Sequence, residues 1–329
     1  MFASFFLTNL KVFYAMLFLG GAVIPGKGVV LILYACEFMT PKQQIIFNSM
    51  ALAIDSFTLV LITFYYWFID NHYVGITSVG VVMGLILVFG LIVSLPESFL
   101  WMVKVGRKTE AATEMHRLNV VSSPEKAQEV FERYPSPDEA TVKVDVSQYF
   151  RDSKIVTNLV VMTISWSVTS YCYYMLGFYI KYMPGGIYPN YLALGLSEVF
   201  GAFVGGYFTL RFGLKISFIV LFLISLIGGV LIIIVGEENE TWMPVFLILA
   251  KLGISAIFCC VYAGTVQVFP TLFGGTAYGV CNFVARLVTI CAPIVAEKSP
   301  PTPMITFVAL CMLGMCSAAF LRVQHEKAD

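Results

Sequence analysis

Nine apolar stretches, each about as long as a helix needs to cross a bilayer, follow one another along this chain with polar turns between them. They are read at residues 10–36, 45–69, 73–93, 155–180, 188–210, 216–235, 242–268, 275–296 and 304–321. Backbone N–H and C=O groups find no water in hydrocarbon, so these stretches are predicted to be helices. One long polar segment, 96–154, separates three spans from six. The pattern therefore predicts an all-α polytopic membrane protein with about nine transmembrane helices. Its parts are an N-terminal three-span segment 1–95, a central loop 96–154, a six-span bundle 155–321 and a tail 322–329.

Five charges interrupt the apolar runs: Lys27, Asp55, Glu198, Lys251 and Arg286. A charge at mid-membrane costs several kcal/mol, so it faces a water-filled route or a partner rather than lipid. Polar residues gather beside four of them at helical spacing. Asn282, Arg286 and Thr289 share one stripe, and Lys251, Ser255 and Tyr262 another. Trp166, Thr169 and Tyr173 form a third, with Tyr174 beside it, and Asn48 and Thr58 lie near Asp55. Glu198 follows Ser197 in a helix rich in Gly195, Gly201, Gly205 and Gly206. Two readings stay open: ion pairs that join helices, or a polar pathway. Aromatic faces bind organic cations, while Lys and Arg draw anions. Lys27 can snorkel toward an interface, among Gly20, Gly21, Gly26 and Gly28, which permit close helix contact.

Loop charges set the expected orientation. The central loop carries Lys104, Arg107, Lys108, Arg117, Lys126, Arg133, Lys143 and Arg151, which places it in the cytoplasm. Arg211 and Lys215 mark a second cytoplasmic turn, and Arg322 and Lys327 put the C-terminus inside. The acidic turn at Glu237, Glu238 and Glu240 falls outside, and counting back puts Met1 outside as well. Its sequon, Asn239-Glu240-Thr241, sits in a turn read as too short for modification. A short amphipathic segment at 124–134, with Ser123 as cap and Pro135 as stop, reads as a solvated linker helix. No signal peptide with a cleavage site can be picked out before the first span.

Composition agrees. Of 329 residues, 59% are hydrophobic and 12% charged, against about a quarter charged in a soluble domain. The net charge of zero gives nucleic acid no footing. All eight cysteines fall in apolar runs without metal-ligand spacing, so they read as small packing residues rather than a disulfide framework. The three histidines, His72, His116 and His325, lie outside the spans and read as solvated. No nucleophile–base pair, phosphate-cradling loop or metal motif stands out, so neither an enzyme nor a cofactor or metal is expected. A seven-helix receptor has neither this helix count nor this central loop.

Several segments resemble the organic-ion (organic cation and anion) transporter family of the major facilitator superfamily. After the third span come Pro96-Glu97-Ser98-Phe99-Leu100-Trp101, then Gly106-Arg107 and Glu110-Ala111. They are similar to the family's "PESPRW…GR…EA" run after its sixth helix. Trp166 and Tyr173-Tyr174-Met175-Leu176 resemble "W…YYGL", with Met175 in place of Gly. The turn from Gly206 through Arg211 and Gly213 to Lys215 resembles the superfamily's GxxxDRxGRR gating loop, with Leu210 and Leu214 as departures. Lys251-Leu252-Gly253 resembles "GKFG". Phe269-Pro270-Thr271, Gly279-Val280-Cys281, Ala285-Arg286 and Ala292-Pro293 resemble "YPT…GVC…AR…AP".

The resemblance implies major-facilitator-like helix bundles, here apparently lacking the first three helices, so that 1–95 would be a truncated N-terminal bundle. It implies a plasma-membrane carrier of small organic ions working by alternating access. Trp166, Tyr173, Tyr174, Glu198, Lys251, Tyr262, Asn282 and Arg286 would line the substrate pathway, with Lys27 and Asp55 as coupling or structural charges. Arg matches the position of Arg286 in anion-preferring members, and a Glu matches Glu198 in cation carriers. Both together point to an anionic or zwitterionic solute. Gln44, Gln267 and Gly274 replace charged groups of the family's cytoplasmic latch. The alternative is a non-transporting product: a degenerate copy or an incomplete gene model of a twelve-helix carrier. The partners implied are the solute and the lipid bilayer.

Overall fold

In chain order the computed structural model runs α1 (Leu10–Pro25), α2 (Pro41–Phe68), α3 (Tyr73–Ser94), α4 (Lys108–Arg117), α5 (Ser153–Tyr179), α6 (Ile187–Phe212), α7 (Leu214–Val235), α8 (Met243–Val268), α9 (Thr271–Thr289), α10 (Ala292–Ala296) and α11 (Thr302–Ala318). Short 3-10 turns lie at Val146–Arg151 and Ile180–Tyr182. The residues described are 10–25, 34–35, 39, 41–69, 72–94, 97, 102, 107–117, 123, 126, 146–184, 186–235, 241–269 and 271–322. Lys27, Pro96, Ser98, Trp101, Gly106, the acidic turn and most of the 124–134 segment lie outside them. Among the described residues, six helical stretches are long and apolar enough to cross a bilayer, and three shorter apolar helices accompany them. The chain is an all-α, multi-pass membrane protein.

The observed elements follow local chemistry. Asp152 caps α5, its side chain accepting from the Lys154 amide at 2.8 Å. Proline stands in the first turn of α8, α10 and α11, where its missing N–H costs nothing. The eighth predicted span, 275–296, falls within one stretch, Phe273–Ala296, long and apolar enough to cross a bilayer, in which α9 and α10 are separated by a break at Ile290 and Cys291. Pro293 explains the break: its ring would clash with the carbonyl four residues back, that of Thr289, where α9 stops. The first predicted span, 10–36, is described as helix over Leu10–Pro25 and again at 34–35.

The chain divides into two compact units. One holds residues 1–41 and 72–144, and so α1, α3 and α4. Within it Ala111 and Ala112 of α4 are buried with Met102, and the Arg107 guanidinium joins Glu97 at 2.9 Å and Glu110. The second unit holds 42–71 and 145–329, and so α2 with α5 to α11.

In the second unit α6 packs on α8, α8 on α7, α7 on α11, and α5 on both α9 and α11. Lipid tails are as apolar as leucine, so close approach and polar contacts, rather than burial from water, hold such helices together. Gly205 is where this matters most: a Cβ there would collide with the Ala256 backbone of α8. Gly206 likewise leaves room for Ser49 of α2, whose hydroxyl also meets Cys259 Sγ at 3.2 Å. Trp67 at the end of α2 stacks on Tyr188 at the start of α6, centroids 5.9 Å apart. Phe218, Phe222 and Phe307 fill the interior. Asn158 closes the C-terminal end onto α5, donating to the Arg322 carbonyl at 3.0 Å and accepting from its amide at 2.9 Å. Cys172, Cys259, Cys260, Cys281 and Cys311 are buried free thiols, and Cys291 and Cys316 are exposed ones.

Candidate functional site

Two charges of the six-span part meet each other. Glu198 sits midway along α6 on its buried face, and Lys251 lies in the first half of α8. The Lys251 ammonium lies 2.9 Å from Glu198 Oε1, with side-chain exposures of 1% and 5%. Tyr173 of α5 completes the contact. Its hydroxyl donates to Glu198 Oε2 at 2.8 Å, its carbonyl accepts from Lys251 at 3.1 Å, and its ring centroid lies 3.2 Å from the ammonium. Both carboxylate oxygens and the ammonium are bonded inside a buried three-helix joint, the geometry in which a buried ion pair becomes tolerable.

Arg286, near the end of α9, stands differently. It is exposed, and its guanidinium donates to the Tyr174 hydroxyl at 3.0 Å and to Asn282 Oδ1 at 3.3 Å. It also lies 5.7 Å from the Tyr174 ring centroid. The Asn282 contact is an i,i+4 pair on one helix face. Neither partner carries a charge, so both leave the guanidinium's charge uncancelled. Asp55 of α2 is also exposed.

Between these groups runs an aromatic cluster. Tyr173 packs on Tyr174 at 5.3 Å and on Phe258 at 5.1 Å, and Phe258 packs on Tyr262 at 5.6 Å. Trp166 meets Tyr262 at 4.7 Å and Tyr278 at 5.4 Å. Its indole N–H donates to Thr265 at 3.0 Å, which fixes the ring. Thr289, on the Arg286 stripe, bonds Ser170 of α5 at 2.9 Å.

The structure thus brings together Trp166, Tyr173, Tyr174, Glu198, Lys251, Tyr262, Asn282 and Arg286 on α5, α6, α8 and α9. Ser255 and Thr169, singled out by spacing, are buried without a hydrogen-bond partner among the described residues. Lys27 lies outside the described residues. Phe258 and Tyr278 escaped the sequence reading, although the pattern held a signal. Phe258 is four residues before Tyr262, and Tyr278 four before Asn282. The residues expected to form a gating loop lie at the end of α6 and the turn into α7. Gly213 adopts φ of 77°, a backbone region that favours glycine, and Arg211 and Lys215 are exposed on either side of it.

The family described as sugar (and other) transporter matches residues 56–188. Organic anion transporter 3 of Mus musculus is 24% identical over 236 residues, covering 69% of this chain and 44% of that protein. Solute carrier family 22 member 4 of Mus musculus is 26% identical over 301 residues, covering 89% of this chain and 53% of that protein. Solute carrier family 22 member 13 of Homo sapiens is 23% identical over 329 residues, covering 98% of this chain and 59% of that protein. The chain spans about half the length of the curated relatives it matches.

Proposed function

We propose, starting from the kinship of this chain with the organic-ion transporters of the major facilitator superfamily, that it is a transmembrane carrier of small organic ions. Its preferred solutes are anionic or zwitterionic, and it works by alternating access in the plasma membrane with its C-terminus in the cytoplasm. The observation that carries this reading is the exposed Arg286, held among the described residues by the neutral Tyr174 hydroxyl and Asn282 amide. A guanidinium so arranged offers its remaining N–H groups to a carboxylate, which arginine meets with two parallel hydrogen bonds.

The other named groups take supporting roles. Tyr173, Tyr174 and Tyr262, with Trp166 behind them, give the solute a flat aromatic wall. Asp55 supplies the opposite charge for the cationic end of a zwitterion. Glu198 and Lys251 hold the joint from which Tyr173 is presented and do not touch the solute in this conformation. The orientation rests on Arg151, Arg211, Lys215 and Arg322 at the ends of the six-span part.

The dry Glu198–Lys251 contact also favours a second reading, in which the membrane charges are structural and the chain carries nothing. One experiment separates the two. Cells making Arg286→Ala at the parent's surface level are given labelled monovalent organic acids. The carrier reading expects uptake to fall to background; uptake equal to the parent's removes Arg286 from the pathway and the reading with it.

A further inference from the structure

A second cavity lies in the same unit, away from the Arg286 face. Its volume is about 400 Å³, within the range of small-molecule sites. Its walls include Tyr179, Tyr182, Met183, Ile232, Met243 and Met304, with three prolines and a further isoleucine. Four helix ends converge there: the end of α5 with its 3-10 extension, the end of α7, and the starts of α8 and α11. This is the end of the bundle opposite Arg211, Lys215 and Arg322. The Arg286 cluster is built on α5, α6, α8 and α9, whereas this cavity takes two of its walls from α7 and α11. Along α5, Tyr179 lies about 8 Å beyond Tyr174 at the rise of an α-helix.

The lining decides what can enter. None of its side chains is ionised, so a charged ligand would give up part of its water without meeting a counter-charge. Lys181 lies over the Tyr182 ring, 4.7 Å from its centroid, and does not line the cavity. What the walls offer is three thioethers and two phenol rings. Thioethers are polarisable, adapt to irregular shapes and favour the edges of aromatic rings, and tyrosine rings prefer edge or offset contact with other rings. Met183, Met243 and Met304 are each at most 6% exposed, whereas Tyr182 is 48% exposed, so the cavity is partly open, with its methionines in the packed part of its wall.

We propose that this cavity is an accessory binding site for a neutral aromatic molecule, distinct from the route taken by ions. The two sites divide solutes by charge: Arg286 and Asp55 select ionised groups, and the methionine-lined cavity rejects them. Binding at the cavity does not depend on transport, so it stands or falls separately from the carrier reading.

The test uses the full chain in lipid nanodiscs with 3-trifluoromethyl-3-phenyldiazirine, a neutral aromatic probe. Light expels N₂ from it, and the carbene that remains inserts into neighbouring bonds. Peptide mass spectrometry then reads the adducts, with and without excess trifluoromethylbenzene as a non-reactive competitor. The proposal expects saturable, competitor-sensitive adducts on Tyr179, Met183, Met243 and Met304, above the unsaturable background on the exposed Phe200, Phe203 and Phe283. Filling the cavity from one wall with Ile232→Trp, or from another with Met304→Trp, is expected to abolish the saturable fraction and leave the background unchanged. Adducts on the four lining residues that stay at background, or that the competitor does not reduce in the parent protein, overturn the proposal whatever the variants do.

Discussion

A glutamate and a lysine that meet in a dry interior are tolerable together and costly apart. Glu198→Ala leaves the Lys251 ammonium facing the Tyr173 ring without a counter-charge, and Lys251→Met strands the carboxylate. Each is expected to cost about 3–5 kcal/mol, read as a fall in the thermal unfolding midpoint of the detergent-solubilised protein. The double replacement is expected to cost clearly less than the sum, because it removes both orphaned charges at once. Additive losses would mean that the two side chains do not form the described contact. Arg286→Ala removes a group that is exposed, so its stability cost is expected to stay within about 0.5 kcal/mol. Loss of activity there can therefore be separated from loss of fold. The stripe through Lys251 and the Asn282–Arg286 pair were legible in the sequence, because both follow from helical spacing. That Glu198 would meet Lys251 was not. Such a pairing depends on the rotation and depth of two helices distant in the chain, which spacing within either one does not encode. The separate standing of Arg286 is hidden for the same reason.

The apolar runs announced the helices themselves, since bilayer thickness and the demand for satisfied backbone groups leave little choice of length or type. Ends and breaks depended on single residues. Pro293 carries the signal for the break between α9 and α10, yet a hydropathy reading passes over it because its neighbours are apolar. Close packing was only partly visible: Gly205 and Gly206 could be seen as small residues, but not which backbone each would admit. Gly213→Ala is expected to cost about 1–3 kcal/mol, since its φ of 77° and ψ of 167° lie in a region almost reserved for glycine. Gly205→Leu is expected to push α6 off Ala256 and leave little protein that elutes as a single species. If both variants unfold with the parent's midpoint, the packing of the α6 end described above is wrong. On α4, the Arg107 guanidinium holds the Glu110 carboxyl below the usual carboxylate range through their hydrogen bond. A depressed carboxylate stabilises above its unfolded pKa and loses that contribution as pH falls through its folded one. Protection of the α4 amides, taken relative to their intrinsic exchange rate at each pH, is therefore expected to fall below about pH 4, and Glu110→Gln is expected to lower that protection already at neutral pH with a weaker acid response.

For the molecule as a whole, composition and spans agree with relatives named as an organic anion transporter and as solute carriers. What remained illegible was the division of labour among the charges: one pair spent on holding α5, α6 and α8 together, and Arg286 left on an aromatic face. The proposed route rests on the second kind, one arginine beside its aromatic neighbours. The most direct measurement is flux through the purified full chain in liposomes. Vesicles preloaded with an unlabelled monovalent organic acid are presented outside with the same acid in labelled form. The account predicts that preloading drives transient accumulation of label, that a zwitterion substitutes for the acid, and that a simple organic cation does not. Label entering no faster than into protein-free vesicles, across acids, zwitterions and cations alike, would contradict it.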